Sequence, residues 1–531
     1  MTPSHAPSDN TQVTQAAGVV ASATLASRLL GYVRDMVIAS LFGAGMVSDA
    51  FIAAFRIPNM LRRLLGEGSL SIAFVPVYTD CLNRRGRAEA DQLAVSALRS
   101  LFIVLGLASV IGIMLAPALV HLLAFGFTGD PEKYALCVKL TRIMFPYALF
   151  VGMVALCMGV LNVLGHFAAP ALAPCLLNLA MIGMVVLFSW YSPSPATRAV
   201  GLAIGVLLGG VLQLGLQVPV LMRKGLRLWR AAPLWHPAMK EILLMMGPAM
   251  FGAAVYQINS LIICLLGSLL NQGSISYLYY ADRLVQFPLG VFAIAMATAV
   301  LPTLSRQAVT GQQQALRDTF SHALRLVFFI TLPAMVGLIV LREPIVVLLF
   351  QRGAFDAQTT RLTASALLYY GIGLWAFSAV RILTYTFYAL KDTRTPVKVA
   401  FASIAGNVVL GVALMQPMKH NGLALALSLA SMLHLALLVA ALRKKMGALG
   451  WRVLALSAAR SGLCALIMGG VVWAMARQLL PTGTVNIPGL LGGLLLCITA
   501  GMAVYGTLAY LFRAPELGAM NQLLGKRTVS K

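Results

Sequence analysis

Apolar runs of about 20 residues recur along this chain, separated by short polar breaks, and each is long enough for a helix to cross a bilayer. In hydrocarbon every backbone N–H and C=O needs an internal partner, which leaves helices or closed barrels. Runs of this length fit helices. The 531 residues are 60% hydrophobic and only 11% charged, with a mean hydropathy of +0.86. A soluble domain has no use for so much apolar surface. The sequence therefore predicts an all-α polytopic membrane protein with about 14 transmembrane helices and no large soluble domain. Spans are expected near 17–43, 48–80, 92–125, 136–163, 168–190, 198–222, 239–270, 274–306, 318–341, 361–390, 397–416, 422–442, 453–479 and 487–512. Met1 to Gln15 is polar and lacks the basic region and apolar core of a cleavable signal, so the first span is expected to direct insertion.

Charge sorts the loops into two alternating sets. One set holds Arg84, Arg85 and Arg87, then Arg223, Lys224, Arg227 and Arg230, then Lys391, Arg394 and Lys398, then Arg443, Lys444 and Lys445. The tail Lys526-Arg527 joins it. The other set is poor in basic residues: Gly129-Asp130-Pro131, Ser192–Pro195, Asn271-Gln272-Gly273 and Pro481-Thr482-Gly483. The positive-inside rule makes the first set cytoplasmic, and an even span count puts both termini there. Loop charge accounts for part of the net +24. Anionic lipid suits basic residues scattered in this way better than nucleic acid does. The seven cysteines (Cys81, Cys137, Cys157, Cys175, Cys264, Cys464, Cys497) form no paired spacing and read as small buried hydrophobes.

Charges inside the spans are the anomaly. The first span carries Ser27-Arg28-Leu29-Leu30-Gly31-Tyr32-Val33-Arg34-Asp35. Arg28 and Asp35 are seven residues apart, which on a helix places them on one face about 10.5 Å apart, with Arg34 pointing elsewhere unless Gly31 bends the helix. A charge at bilayer depth costs roughly 2.5–3.5 kcal/mol on insertion scales, so it faces a bundle interior or a wet cavity. Arg56, Arg62 and Arg63 in the second span and Arg283 in the eighth repeat the pattern. Guanidinium stays charged and offers a planar fork that matches phosphate oxygens. The nearby acids, Asp35, Asp49, Glu67 and Asp282, are fewer. The positive excess favours an anionic-substrate cavity over ion pairs that only lock helices.

Several spans are interrupted. The second contains Pro58 and Pro76, and the eighth Pro288, Gly290 and Pro302. Broken helices in corresponding positions of two halves point to a transport site. Arg56 precedes Pro76 by 20 residues, and Arg283 precedes Pro302 by 19. This suggests two six-span lobes with two spans appended. The expected parts are a polar N-terminus 1–16, an N-lobe 17–230, a C-lobe 231–446, two additional spans in 447–513 and a cytoplasmic tail 514–531. Pro515–Lys531 could form an amphipathic surface helix with Glu516, Lys526 and Arg527 facing water, or be disordered. Gln257 and Asn259 in span seven, with Asn407 in span eleven, read as interhelical hydrogen-bonding groups. Tyr277, Tyr279 and Tyr280 read as an interfacial aromatic belt. There is no Walker loop, no metal spacing among the seven histidines and no acidic cluster for Mg²⁺, which speaks against ATP hydrolysis and a membrane transferase.

At these residues the chain resembles the MurJ (MviN) family of lipid II flippases, in the multidrug/oligosaccharidyl-lipid/polysaccharide exporter superfamily. The motifs are SRLLGYVRD (Ser27–Asp35), FGAGMVSDAF (Phe42–Phe51), PNMLRRLLGEG (Pro58–Gly68), YYADRLVQFP (Tyr279–Pro288), LPTLS (Leu301–Ser305) and KDTRTPVK (Lys391–Lys398). The resemblance implies two six-helix lobes around a central cationic cavity, with the last two spans forming a groove for a polyprenyl tail. It places substrate-binding groups at Arg28, Arg34, Arg62, Arg283, Asp49, Ser276 and Asp282, with Asp35, Arg63 and Glu67 in support. Gln286 stands where some members carry glutamate, so a mechanism needing a carboxylate at that position is not carried over; span seven lacks an acid, so sodium coupling is not carried over either.

The implied activity is translocation of lipid II from the cytoplasmic to the periplasmic leaflet of the bacterial inner membrane by alternating access. No bond-making chemistry and no cofactor are implied. The driving force expected is the membrane potential or a monovalent cation. Expected partners are lipid II, membrane lipids and proteins of cell-wall synthesis, and no nucleic acid. The alternatives are a flippase for another polyprenyl-diphosphate-linked polysaccharide, a multidrug exporter of the same superfamily, a membrane enzyme acting on lipid-linked sugars, and a scaffold whose arginines only pair helices.

Overall fold

The computed structural model describes residues 9–64, 70–229, 232–447, 450–480 and 487–518. Among them every regular element is helical. The chain divides into two compact units, Met1–Gln272 and Gly273–Lys531.

The first unit runs through α1 (Asp9–Phe42), α2 (Met46–Leu64), α3 (Leu70–Arg85), α4 (Arg87–Met114) and α5 (Ala116–Leu123). A 3₁₀ turn at Phe125–Gly129 follows, then α6 (Pro131–Met144), α7 (Tyr147–Val163), α8 (Ala168–Tyr191), α9 (Pro195–Arg223) and α10 (Met239–Ser268). Gly86, at φ 85°, supplies the left-handed residue that separates α3 from α4. Asp130 caps α6 by accepting from the Lys133 amide at 3.1 Å, and Pro131 fills the first helical position, where its missing N–H costs nothing. Phe74 and Tyr78 stack at 5.4 Å in a core with Leu93, Leu161 and Leu221. The close pairing of α8 with α9 depends on Gly205, where a Cβ would lie 2.9 Å from the Ala180 carbonyl oxygen. Small residues of this kind let helix backbones approach in lipid.

The second unit begins with α11 (Ser274–Pro288), a π-helical turn at Leu289–Ala293 and α12 (Ile294–Val309). It continues with α13 (Gln313–Val340), α14 (Arg342–Phe350), α15 (Ala357–Ile372), α16 (Leu374–Ala389), α17 (Arg394–Met418), α18 (His420–Met446), α19 (Trp451–Leu479) and α20 (Ile487–Leu511). The π turn directly follows Pro288, which cannot donate to the helix ladder. The pair α15–α16 bends by 43° at Gly373. Phe320, Phe387 and Leu438 are fully buried at the centre of one core cluster. The two last helices join a second cluster, in which the Tyr505 hydroxyl donates to the Phe329 carbonyl at 2.7 Å.

This is a polytopic helical membrane protein. Ten helical stretches among the described residues are long and apolar enough to cross a bilayer, and the bent pair α15–α16 makes eleven, against the expected count of about 14. The remaining three expected segments are also helical: α1, α2 with α3, and α10. Charge is what separates α2 from the apolar spans, since it carries Asp49, Arg56, Arg62 and Arg63. The apolar stretch of α10 is Gln257–Ser268.

Two further expectations are corrected. Tyr277 and Tyr280 do not form a lipid-facing belt: they are 9% and 0% exposed. Tyr280 packs on Phe350 and Phe355 at 5.0 and 5.4 Å, and Tyr277 on His420 at 5.0 Å. Half-buried Tyr279 meets Tyr280 edge-on at 5.4 Å. Glu516 does not face water. It is 3% exposed, accepts from the Ser457 hydroxyl of α19 at 2.8 Å and lies 3.7 Å from the Arg325 guanidinium of α13. A buried carboxylate is retained where donors meet it, and here two helices supply them. Lys526 and Arg527 lie outside the described residues. All seven cysteines are buried and unbridged.

Candidate functional site

In α1 it is Arg34, expected to point away from the Arg28–Asp35 face, that meets Asp35. Arg28 is exposed and makes no hydrogen bond or ion pair among the described residues. Arg34 is 7% exposed and Asp35 fully buried. The Arg34 Nε and Nη2 both donate to Asp35 Oδ1, at 3.0 and 2.7 Å, and Nη1 donates to Asn178 Oδ1 of α8 at 3.1 Å. Asn178 in turn donates to the Ser27 carbonyl at 3.2 Å. Neighbouring helical positions are about 100° apart, and a long, forked guanidinium spans that gap where a shorter cation would not. The resulting network holds α1 against α8.

In α2 Asp49 is 1% exposed, and its Oδ2 accepts from Lys133 Nζ of α6 at 2.9 Å. Lys133, 5% exposed, also lies 4.2 Å from the centre of the Phe127 ring. Two helix turns on, the half-buried Arg56 donates to the Ser260 hydroxyl of α10. The Arg62 Nε donates to Asn59 Oδ1 at 3.1 Å. Arg63 is half-buried, with a buried Nε that has no acceptor among the described residues. Glu67 lies outside the described residues. Within the first unit, then, Asp49 and Arg34 are buried and held by oppositely charged partners, Arg28 is open, and Arg62 and Arg63 are intermediate.

In the second unit α11 carries Ser276, fully buried, with Asp282 and Arg283 half-buried one to two turns later. Gln286 Nε2 donates to Asp282 Oδ1 at 3.3 Å, which sets Gln286 to work as a donor where a glutamate would repel the carboxylate. Gln257 and Asn407, expected to hydrogen-bond between helices, are both buried, at 8% and 2% exposed. Among the described residues no three His, Cys, Asp or Glu side chains are placed to hold a metal.

Lys133, Asn178 and Ser260 are the polar partners that sequence reasoning missed. Asn178 and Ser260 are single polar residues in apolar runs, a common event with no signal of its own. Lys133 had one: it is a lysine at the start of a span, beside Gly129-Asp130-Pro131, a break otherwise poor in basic residues.

Outside the spans, Asp392 in the turn before α17 accepts from the Thr395 amide and hydroxyl at 3.0 and 2.6 Å and from Lys445 Nζ. Burial pushes its carboxyl up, but the Lys445 and Thr395 hydrogen bonds outweigh this and hold it well below the usual carboxylate range.

A family model described as lipid II flippase MurJ matches residues 38–488. A probable lipid II flippase MurJ of Vibrio cholerae is 40% identical over 433 residues, covering 79% of this chain and 81% of the relative. The lipid II flippase MurJ of Burkholderia cenocepacia is 37% identical over 433 residues, covering 80% and 83%. Among solved structures, a lipid II flippase MurJ in an inward closed conformation aligns with a TM-score of 0.76 at 26% identity, covering 93% of this chain and 98% of that one. An inward-facing multidrug resistance MATE family transporter aligns at 0.68 and 17% identity over 81% and 98%, a likeness of fold alone. With the family model spanning most of the chain and relatives of this identity along their own length, the chain belongs to the lipid II flippase MurJ family.

Proposed function

We propose that this protein carries lipid II from the cytoplasmic to the periplasmic leaflet of the bacterial inner membrane by alternating access, making and breaking no bond. The match to the lipid II flippase family over residues 38–488 carries this reading. Both termini are cytoplasmic on the same reading, which the charge of the alternate loops supports.

Lipid II presents a diphosphate, and arginine is the side chain suited to it. Arg28, exposed on α1, Arg62 on α2 and Arg283 on α11 are assigned to diphosphate recognition, with Asp49, Ser276 and Asp282 as polar groups for the remaining headgroup. Arg34, committed to Asp35 and Asn178, serves by holding α1 to α8. Transport is driven by the membrane potential: an anion moving outward across an inside-negative membrane gains roughly 2.3 kcal/mol per charge per 100 mV. A monovalent cation is the other candidate driver. Membrane lipids surround the spans, and proteins of cell-wall synthesis are candidate partners of the loops.

Depletion and rescue test the assignment. Cells depleted of the native flippase receive Arg28→Ala, Arg62→Ala or Arg283→Ala, each checked for membrane abundance. Failure to rescue at normal abundance, with lipid II retained on the inner leaflet, is expected. Full rescue by all three overturns the residue assignment. Purified wild-type protein in vesicles tests the cargo itself: movement of another polyprenyl-diphosphate sugar but not lipid II overturns the function.

A further inference from the structure

A cavity of about 640 Å³ opens in the second unit between the end of α18 and the start of α19. Its floor is apolar, from Ala436, Val439 and Ala440, and its rim is Arg443, Lys444 and Trp451. The neighbouring Lys445 is spent on Asp392, but Arg443 and Lys444 have no hydrogen-bond or ion-pair partner through their side chains among the described residues. Trp451 is the first residue of α19, a 29-residue helix whose N-terminus presents unpaired backbone N–H groups. Two cations and a helix N-terminus therefore meet at one mouth, above an apolar floor. Such an arrangement is complementary to an anion that carries hydrocarbon.

We propose that this cavity binds one anionic glycerophospholipid. Its phosphate lies at Arg443, Lys444 and the α19 N-terminus, and an acyl chain covers Ala436, Val439 and Ala440. The apolar floor selects a lipid over a soluble phosphate, because a free anion gains nothing from it. The site uses none of the arginines assigned to the diphosphate, so its success or failure leaves the flippase reading untouched.

Full-length protein in mild detergent, titrated with phosphatidylglycerol or phosphatidylcholine and counted by native mass spectrometry, tests the proposal. Wild type is expected to retain one phosphatidylglycerol that phosphatidylcholine does not replace. The double substitution Arg443→Gln, Lys444→Gln is expected to weaken that binding about thirtyfold, from about 1 kcal/mol per basic residue. Ala440→Phe keeps both charges and fills the floor, and is expected to abolish the bound lipid even if the charge variant folds poorly. Equal retention by wild type and both variants overturns the site. Displacement of the lipid by millimolar inorganic phosphate shows a solute-anion site and overturns the lipid assignment.

Discussion

Lys133→Met would leave the Asp49 carboxylate, 1% exposed, without the ammonium 2.9 Å away. Breaking a buried ion pair from one side costs about 3–5 kcal/mol, because the remaining charge stays desolvated. Loss of the Lys133 contact with the Phe127 ring adds up to about 1 kcal/mol. For a unit of this size one kcal/mol moves the melting midpoint by about 2 °C, so the variant should melt roughly 6–12 °C lower. Asp49→Leu, which strands the lysine, should do the same. The double variant Asp49→Leu, Lys133→Met removes both charges and strands neither, and should melt well above either single variant. Thermal unfolding of the purified proteins in one detergent measures all three. If the double variant loses the sum of the two single losses, the side chains are not coupled and the reasoning fails. The same double variant then separates two roles of Asp49. A stable protein that does not rescue depleted cells puts Asp49 in transport, and one that does rescue makes it structural.

Three further outcomes follow from the structure. Arg34→Ala should lower membrane abundance and stability by about 3–5 kcal/mol through the stranded Asp35, whereas Arg28→Ala, at an exposed position, should leave both unchanged; equal melting of the two variants refutes the α1–α8 network. Asp392, with its carboxyl depressed in the folded state, contributes stability that is present above an unfolded value of about 3.9 and lost as pH falls through the lower folded value; Asp392→Asn should therefore flatten the acid limb of a melting-versus-pH curve, and an unchanged limb counts against the Lys445–Asp392 contact. Collapsing the membrane potential in reconstituted vesicles should remove a bias of about fiftyfold per charge per 100 mV in lipid II distribution; an unaltered distribution rules the potential out as the driver.

Fold class was legible because it depends on quantities that add along the chain. A run of about 20 apolar residues is a span wherever it lies, and the charge of the intervening loops orients it. The breaks were legible too: Pro288 was read as an interruption, and a π turn follows it. Arg28, Arg34, Asp35, Asp49 and Arg62 stood out as charges where lipid permits few. What each charge is bonded to was not legible. Arg34 meets Asn178 across 144 positions, and Asp49 meets Lys133 across 84. Helical periodicity put Arg28 and Asp35 on one face from Cα directions alone and could not see the Arg34 guanidinium reaching round the helix to its neighbour. Glu516 and Tyr280 failed in the opposite sense, since a polar or amphipathic side chain near a span end is surface by default until another helix covers it. The sequence by itself determined the all-helical, membrane-spanning class and which charges fall inside the spans. The tertiary structure alone decided which of those charges are neutralised and which stay open, because a hydrogen bond is made over about 3 Å between atoms whose distance apart along the chain carries no information.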